Sequence, residues 1–333
     1  MSFPSSSLKE HNKSFKRILS MASILIFLAF LLLFPTSSLK GAKTGLLLWF
    51  NTLLPTLLPF IIVSNLIVKL KITKPLSKIL YPIFHKLFGV SLSGCYPLLM
   101  GMLSGMPVGA KSIGDMVREG SLSRKEGQYL LGFCNNASPM FVMGFIAISQ
   151  LNLPSIRVPL LIILYSSGVI SSLLWYHLLS PFSKSLVKTQ DLFVNNREEE
   201  DSSKFDFAKL DASIMDGFDV ITRVGGYVIL FSIVAQIISD INGISALLQS
   251  LLIGFLEITT GINKFSTLSL PIELKIAFIT GITAFGGLSG MAQTNSVITH
   301  TSLSIFTYFK VKLLHMSIAF GLIYGFLLLF PVA

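Results

Sequence analysis

Phe133-Cys134-Asn135-Asn136-Ala137-Ser138-Pro139 sets two side-chain amides, a hydroxyl and a proline inside an otherwise apolar stretch, 128–149. Amides in hydrocarbon need partners or water, and a proline within a helix removes a backbone donor and breaks the ladder. The pattern predicts an interrupted helix buried in a membrane protein, with Asn135, Asn136 and Ser138 at the interruption. Upstream, Ser104-Gly105-Met106-Pro107-Val108-Gly109-Ala110-Lys111 ends a short apolar segment, 93–110, dense in glycine and proline. A matching pair lies in the second half: Leu256-Glu257-Ile258-Thr259-Thr260-Gly261 in segment 244–262, and Phe285-Gly286-Gly287-Leu288-Ser289-Gly290-Met291-Ala292-Gln293-Thr294-Asn295 in segment 276–298. Pro107 and Ser138 are 31 positions apart, and so are Thr259 and Gly290. Interrupted hydrophobic segments at corresponding places in two halves point to a transporter site at the repeat interface.

The composition agrees. Of 333 residues 52% are hydrophobic and 13% charged, with a mean hydropathy of +0.74. That is about half the charge of a soluble domain, so the surplus apolar surface faces lipid. A soluble enzyme, a disulfide-stapled secreted domain and a disordered tail protein are excluded. Cys95 and Cys134 sit in apolar stretches and read as small buried hydrophobes. The five histidines are scattered without ligand spacing, so no metal and no cofactor are expected.

The net charge of +10 is a topology signal rather than a nucleic-acid footprint. Ile18–Phe34 is an apolar run behind Lys9, Lys13, Lys16 and Arg17, with no small-residue cleavage pattern after it, and reads as an uncleaved first helix with its N-terminus in the cytoplasm. The second span, Leu46–Leu70, contains Pro55 and Pro59 and is followed by Lys69, Lys71, Lys74, Lys78 and Lys86 without an acid among them. Further spans are expected at 158–180, 224–240 and 313–332. Residues 182–219 hold nine of the sixteen acids and read as a solvated cytoplasmic linker, with 206–223 an amphipathic helix along the interface. The chain thus divides into a tail (1–17), a first membrane half (18–180), a linker (181–219) and a second half (220–333).

Breaking helices within the membrane exposes backbone N–H groups that bind an anion without a buried charge, while Asn, Ser, Thr and Gln side chains select a solute by shape. The candidate solute-binding residues are Ser104, Gly105, Lys111, Asn135, Asn136, Ser138, Glu257, Thr259, Thr260, Gly286, Gly287, Ser289 and Gln293. Several have plainer readings. Ser104 and Gly105 alone suit close helix packing, and Lys111 suits a positive-inside anchor. Glu257 stands deep in an apolar run, where it could carry a coupling proton; alternatively the helix ends near Thr259 and the carboxylate reaches the cytoplasmic edge. Asp219 and Arg223 read as an interfacial pair. No nucleophile–base pairing and no phosphate loop appears, so no enzyme is expected.

Together SGMPVGAK, FCNNASPMF, LEITTGI and AFGGLSGMAQ, with Asn51-Thr52-Leu53-Leu54-Pro55-Thr56-Leu57-Leu58-Pro59-Phe60, resemble the YlbJ-type sporulation integral membrane proteins, which carry nucleoside-recognition Gate domains. The tail and the acidic linker have no matching motif. The resemblance implies an all-α polytopic membrane protein with two Gate-type repeats of re-entrant or interrupted helices, about eight membrane segments, distantly similar to concentrative nucleoside transporters. Asn135, Asn136 and Ser138 match the polar break of the first repeat. Glu257, Thr259, Thr260, Gly286, Gly287, Ser289 and Gln293 match the second. It further implies transport of a small anionic or aromatic solute, dipicolinate by family association, across the cell membrane or the outer forespore membrane of a spore former. A non-transporting scaffold of spore formation and a nucleoside-like solute carrier are the competing expectations. The expected partners are the solute, the lipid bilayer and, left open, a second copy of the chain, with no nucleic acid.

Overall fold

The computed structural model describes residues 21–22, 24–70, 72–179 and 205–331, and among these the chain is helical with no strand. The tail (1–17) and linker residues 180–204 lie outside them. Among the described residues five helices are long and apolar enough to cross a membrane, or six if a pair bent by 92° is one span. Side chains such as Leu33, Leu39 and Ile162 stand more than half exposed around the outside, as a lipid-facing surface requires.

The first half opens with α1 (Ile24–Leu33), α2 (Pro35–Leu48), a wide π turn at Trp49–Leu53 and α3 (Leu54–Lys69). The second long helix therefore starts at Pro35 rather than at Leu46, and runs 35 residues to Lys69. The polar-looking stretch before Leu46 is helical for two reasons. Pro35 sits at the first helical turn, where its missing N–H costs nothing. Ser38, Gly41 and Gly45 then share one buried face against the long helix Phe207–Ser239, where a Cβ on Gly41 would meet the Ser232 carbonyl at 2.7 Å.

α4 (Thr73–Phe88) turns sharply into α5 (Leu92–Ser104), followed by α6 (Val108–Arg118) and α7 (Arg124–Cys134). After the break at Asn135–Ser138 the chain continues through a π-helical segment, Phe141–Gln150, and into α8 (Arg157–Leu174). The second half has α9 (Phe207–Ser239), α10 (Ala246–Leu256), α11 (Ile258–Ser266), α12 (Ile272–Phe285), α13 (Gly287–Ile298) and α14 (Ile305–Leu329).

Two boundaries differ from the sequence reading. Residues 207–223 are the first part of α9, a single 33-residue helix about 50 Å long at 1.5 Å per residue, rather than a separate helix ahead of the span. The Lys69–Asp216 ion pair (2.9 Å) ties this extension to α3. α14 begins at Ile305, eight residues before the expected start, because Ser304 caps it by accepting from the Thr307 N–H (3.2 Å). That shift takes Lys312 inside the helix.

Segments 93–110 and 276–298 interrupt their helices in different ways. In a straight helix Gly101 and Gly109 would be about 12 Å apart. Here a Cβ on Gly109 would meet the Gly101 Cα at 2.9 Å, so α5 and α6 fold back as a hairpin. Gly254 and Gly261 make the same close approach between α10 and α11. By contrast α12 and α13 form one interrupted 27-residue span, 78% of whose apolar window is buried inside the protein. Each half thus contains, in the same order, a folded-back hairpin and an interrupted helix: α5–α6 with α7 and its π continuation, then α10–α11 with α12–α13.

Candidate functional site

The four interruptions meet. One cavity of about 70 Å³ is lined by Ser104 and Met106 from the first hairpin, Ala137, Ser138 and Phe141 from the first interrupted helix, Glu257, Ile258 and Thr259 from the second hairpin, and Gly286, Ser289, Gly290 and Gln293 from the second interrupted helix. Aliphatic side chains of α3 and α9, among them Leu57, Ile61, Val224 and Val228, close the opposite wall. The cavity is therefore polar on the side of the breaks and greasy on the side of the long helices.

Each break has a local cause. Gly105 adopts φ +73° and a Cβ there would meet the Ser138 N at 2.6 Å; the Met106 N–H then donates to the Asn136 carbonyl (2.8 Å), joining the first hairpin to the first interrupted helix. Gly286 and Gly287 both take positive φ, +87° and +69°, which only glycine accepts without strain. Glu257 has left the helical region (φ −147°, ψ 121°) and serves as the N-cap of α11, its Oε2 accepting from the Thr260 N–H at 2.6 Å. At 2% exposure the carboxylate is buried at the hairpin break, so the expected helix end is present but the side chain does not reach an aqueous edge. It is the one ionisable side chain among the described residues lining the cavity. α13, in contrast, starts at the cavity with no side-chain cap, and Ser104, 5% exposed, has a buried Oγ without a hydrogen-bond partner.

Of the sequence-derived candidates, Ser104, Ser138, Glu257, Thr259, Gly286, Ser289 and Gln293 come together on this cavity. Gly105 and Gly287 stand directly behind it, Gly287 packing over the Leu256 carbonyl and Glu257. Thr260 turns its hydroxyl to Ser232 on α9 (2.8 Å). Lys111 lies exposed on α6, away from the lining. Asp219 and Arg223 pair in the open at 2.8 Å.

Asn135 and Asn136 point into the helix bundle instead of the cavity. Asn135 Nδ2 donates to Thr294 Oγ1 (2.7 Å) and to the Tyr308 hydroxyl (2.9 Å), while its Oδ1 is buried without a partner. Asn136 Nδ2 donates to the Phe133 carbonyl (2.8 Å) and its Oδ1 accepts from Lys312 Nζ (2.6 Å). The amides thus stitch the break of α7 to α13 and α14. Lys312 is not legible as a buried residue from hydropathy, which sets it just outside the last apolar span, 313–332. A lysine eight positions into an apolar helix was the available signal. Asn136→Ala removes the acceptor of a buried ammonium, a charged hydrogen bond of about 1.5–3 kcal/mol. The expected outcome is a lower midpoint in thermal unfolding of detergent-purified protein, with Asn136→Asp retaining more of it than alanine.

A bundle of membrane-length helices around two hairpin-plus-interrupted-helix units defines a multi-pass integral membrane protein whose polar centre lies where those units meet. Among known proteins, the chain is similar to the sporulation integral membrane protein YlbJ of Bacillus subtilis, 27% identical over 323 aligned positions, covering 89% of this chain and 79% of the relative. This likeness supports the YlbJ-type family. No family model matches the chain, and no solved structure does.

Proposed function

We propose that the protein is a carrier for a small aromatic or anionic solute, dipicolinate the first candidate, acting in spore formation as the name of its Bacillus relative suggests. The observation that carries this reading is the convergence of all four helix interruptions on one cavity. A flat aromatic ring fits against Leu57, Ile61 and Val224, while a carboxylate meets the uncapped start of α13 and the hydroxyls of Ser104 and Ser289. Ser104 brings a buried hydroxyl with no partner inside the protein, which a solute acceptor would satisfy.

Glu257 imposes a condition on an anionic solute. Two like charges about 4 Å apart repel by roughly 4 kcal/mol at an effective dielectric of about 20, and no basic side chain lines the cavity among the described residues. A dicarboxylate can occupy the site only with Glu257 protonated, so solute and proton move together. Uptake of labelled dipicolinate into proteoliposomes should therefore saturate and rise as the solute-facing side is acidified. Ser104→Ala should weaken apparent affinity about tenfold, the ~1.4 kcal/mol scale of one hydrogen bond in a closed site. Uptake that is non-saturable, or indifferent to both pH and Ser104→Ala, rejects the proposal.

A further inference from the structure

A second buried ionisable pair lies outside the cavity. Lys312 and His315 on α14 are both 0% exposed. Lys312 Nζ donates to Asn136 Oδ1 (2.6 Å) and lies 3.4 Å from His315 Nδ1, with the Tyr308 ring 5.8 Å away. His315 Nε2 lies 3.0 Å from both the Leu164 carbonyl and Ser167 Oγ. In the tautomer with hydrogen on Nε2, which donates to the Leu164 carbonyl, Nδ1 accepts from Lys312; the ring also lies against the Ala284 carbonyl. Among the described residues no carboxylate forms an ion pair with Lys312.

The position of this amine is informative. α7 ends at Cys134, and the C-terminal end of an interrupted half-helix is where membrane carriers hold a coupling cation. Asn135 Oδ1 adds a buried acceptor without a partner at the same break. Gly168 on α8 leaves the room: a Cβ there would lie 3.0 Å from Asn136 Nδ2 and 3.2 Å from His315 Cε1. The other titratable groups nearby are Tyr308 on α14, Cys134 on α7 and Tyr165 on α8, whose hydroxyl is held by the Met102 and Ala137 carbonyls. α13 has no charged residue. Glu273 of α12 lies at the far end beside Tyr324, and Lys275 is bonded there to the Ser266 carbonyl.

We infer that Lys312 is a built-in coupling cation: its amine fills the cation position at the break of α7 and, with His315, holds a second transported proton, making the cycle independent of Na⁺. Passing a proton from the Lys312 ammonium to His315 Nδ1 leaves a neutral amine and an imidazolium, so the pair keeps one positive charge until the proton leaves. A solute dianion is then matched by one proton at Glu257 and one at this pair. The inference rests on the carrier reading.

The test uses the full chain in proteoliposomes with an enclosed pH dye and dipicolinate as probe, plus thermal unfolding without solute in NaCl against choline chloride. Wild type should take up solute equally in Na⁺ and choline, and its unfolding midpoint should not respond to Na⁺. Lys312→Met should still fold, its midpoint lowered no further than that of Asn136→Ala, because each variant leaves one buried partner of the same hydrogen bond without the other. Its accumulation driven by a pH gradient should fall roughly tenfold or more, the scale of a coupling free energy, with one proton fewer entering per solute. Lys312→Arg keeps the charge but cannot release a proton, and should be equally impaired. Wild-type proton coupling in either variant overturns the inference, and so does a Na⁺ requirement or a Na⁺-dependent rise in the wild-type midpoint. Absence of uptake by wild type rejects the carrier reading, while the thermal comparison still decides whether an inorganic cation binds.

Discussion

Glu257→Gln is expected to lower solute flux by about 100-fold, at the upper end of measured site-to-site couplings, while the protein stays folded. The separation follows from the two roles of this carboxylate. As N-cap of α11 it accepts from the Thr260 N–H at 2.6 Å, and an amide oxygen performs that task as well. As the one ionisable group lining the cavity among the described residues, it cannot be replaced by an amide, which takes up no proton. Glu257→Ala should lose both functions, with a further stability cost of about 1 kcal/mol for the missing cap. Uptake assays paired with thermal unfolding of the same preparations distinguish the roles. A glutamine variant with normal flux removes Glu257 from the transport cycle, and one that fails to fold makes it a structural cap only.

The second large effect concerns the hairpins. Gly101→Ala and Gly261→Ala should each prevent recovery of monodisperse protein after detergent extraction. A Cβ at Gly101 would overlap the backbone carbonyl of Cys134, and one at Gly261 would overlap the Gly254 Cα, with the Gly254 N at 2.8 Å. These are main-chain obstacles that no rotamer change relieves, so overpacking should cost about 3 kcal/mol or more. Gly321→Ala and Gly325→Ala on α14 are the controls, because nothing lies within 4 Å of the added carbon. Helix propensity predicts a slight gain for both. Equal behaviour of all four variants would mean that the hairpins are not closed as described.

Residue type alone announced the interruptions. Pro139 after Asn135-Asn136, and the Gly286-Gly287 pair, violate the continuity a membrane helix needs, and hydropathy placed them within apolar stretches. The local violation is written in the sequence because it depends on φ, on a missing N–H and on the cost of polar atoms in hydrocarbon. The helix starts at Pro35, Phe207 and Ile305 were less legible, since they go with a small-residue face against α9, an Asp206 cap and a serine cap.

Which polar residue serves which purpose was decided by the tertiary structure. Ser104 resembles a packing residue in sequence, yet it faces the cavity with an unpartnered hydroxyl. Asn135 and Asn136 resemble solute ligands, yet they bind Thr294, Tyr308 and Lys312. The partners lie 159 to 176 positions away, and no local pattern encodes contacts at that separation. The sequence by itself determined that this is a polytopic membrane protein with paired breaks in two halves, because hydropathy and backbone chemistry act over a few residues. Only the packing of α7 against α13 and α14 decided which breaks open onto a cavity and which amides hold the bundle together, because a side chain's role follows from what the other half of the chain brings to it.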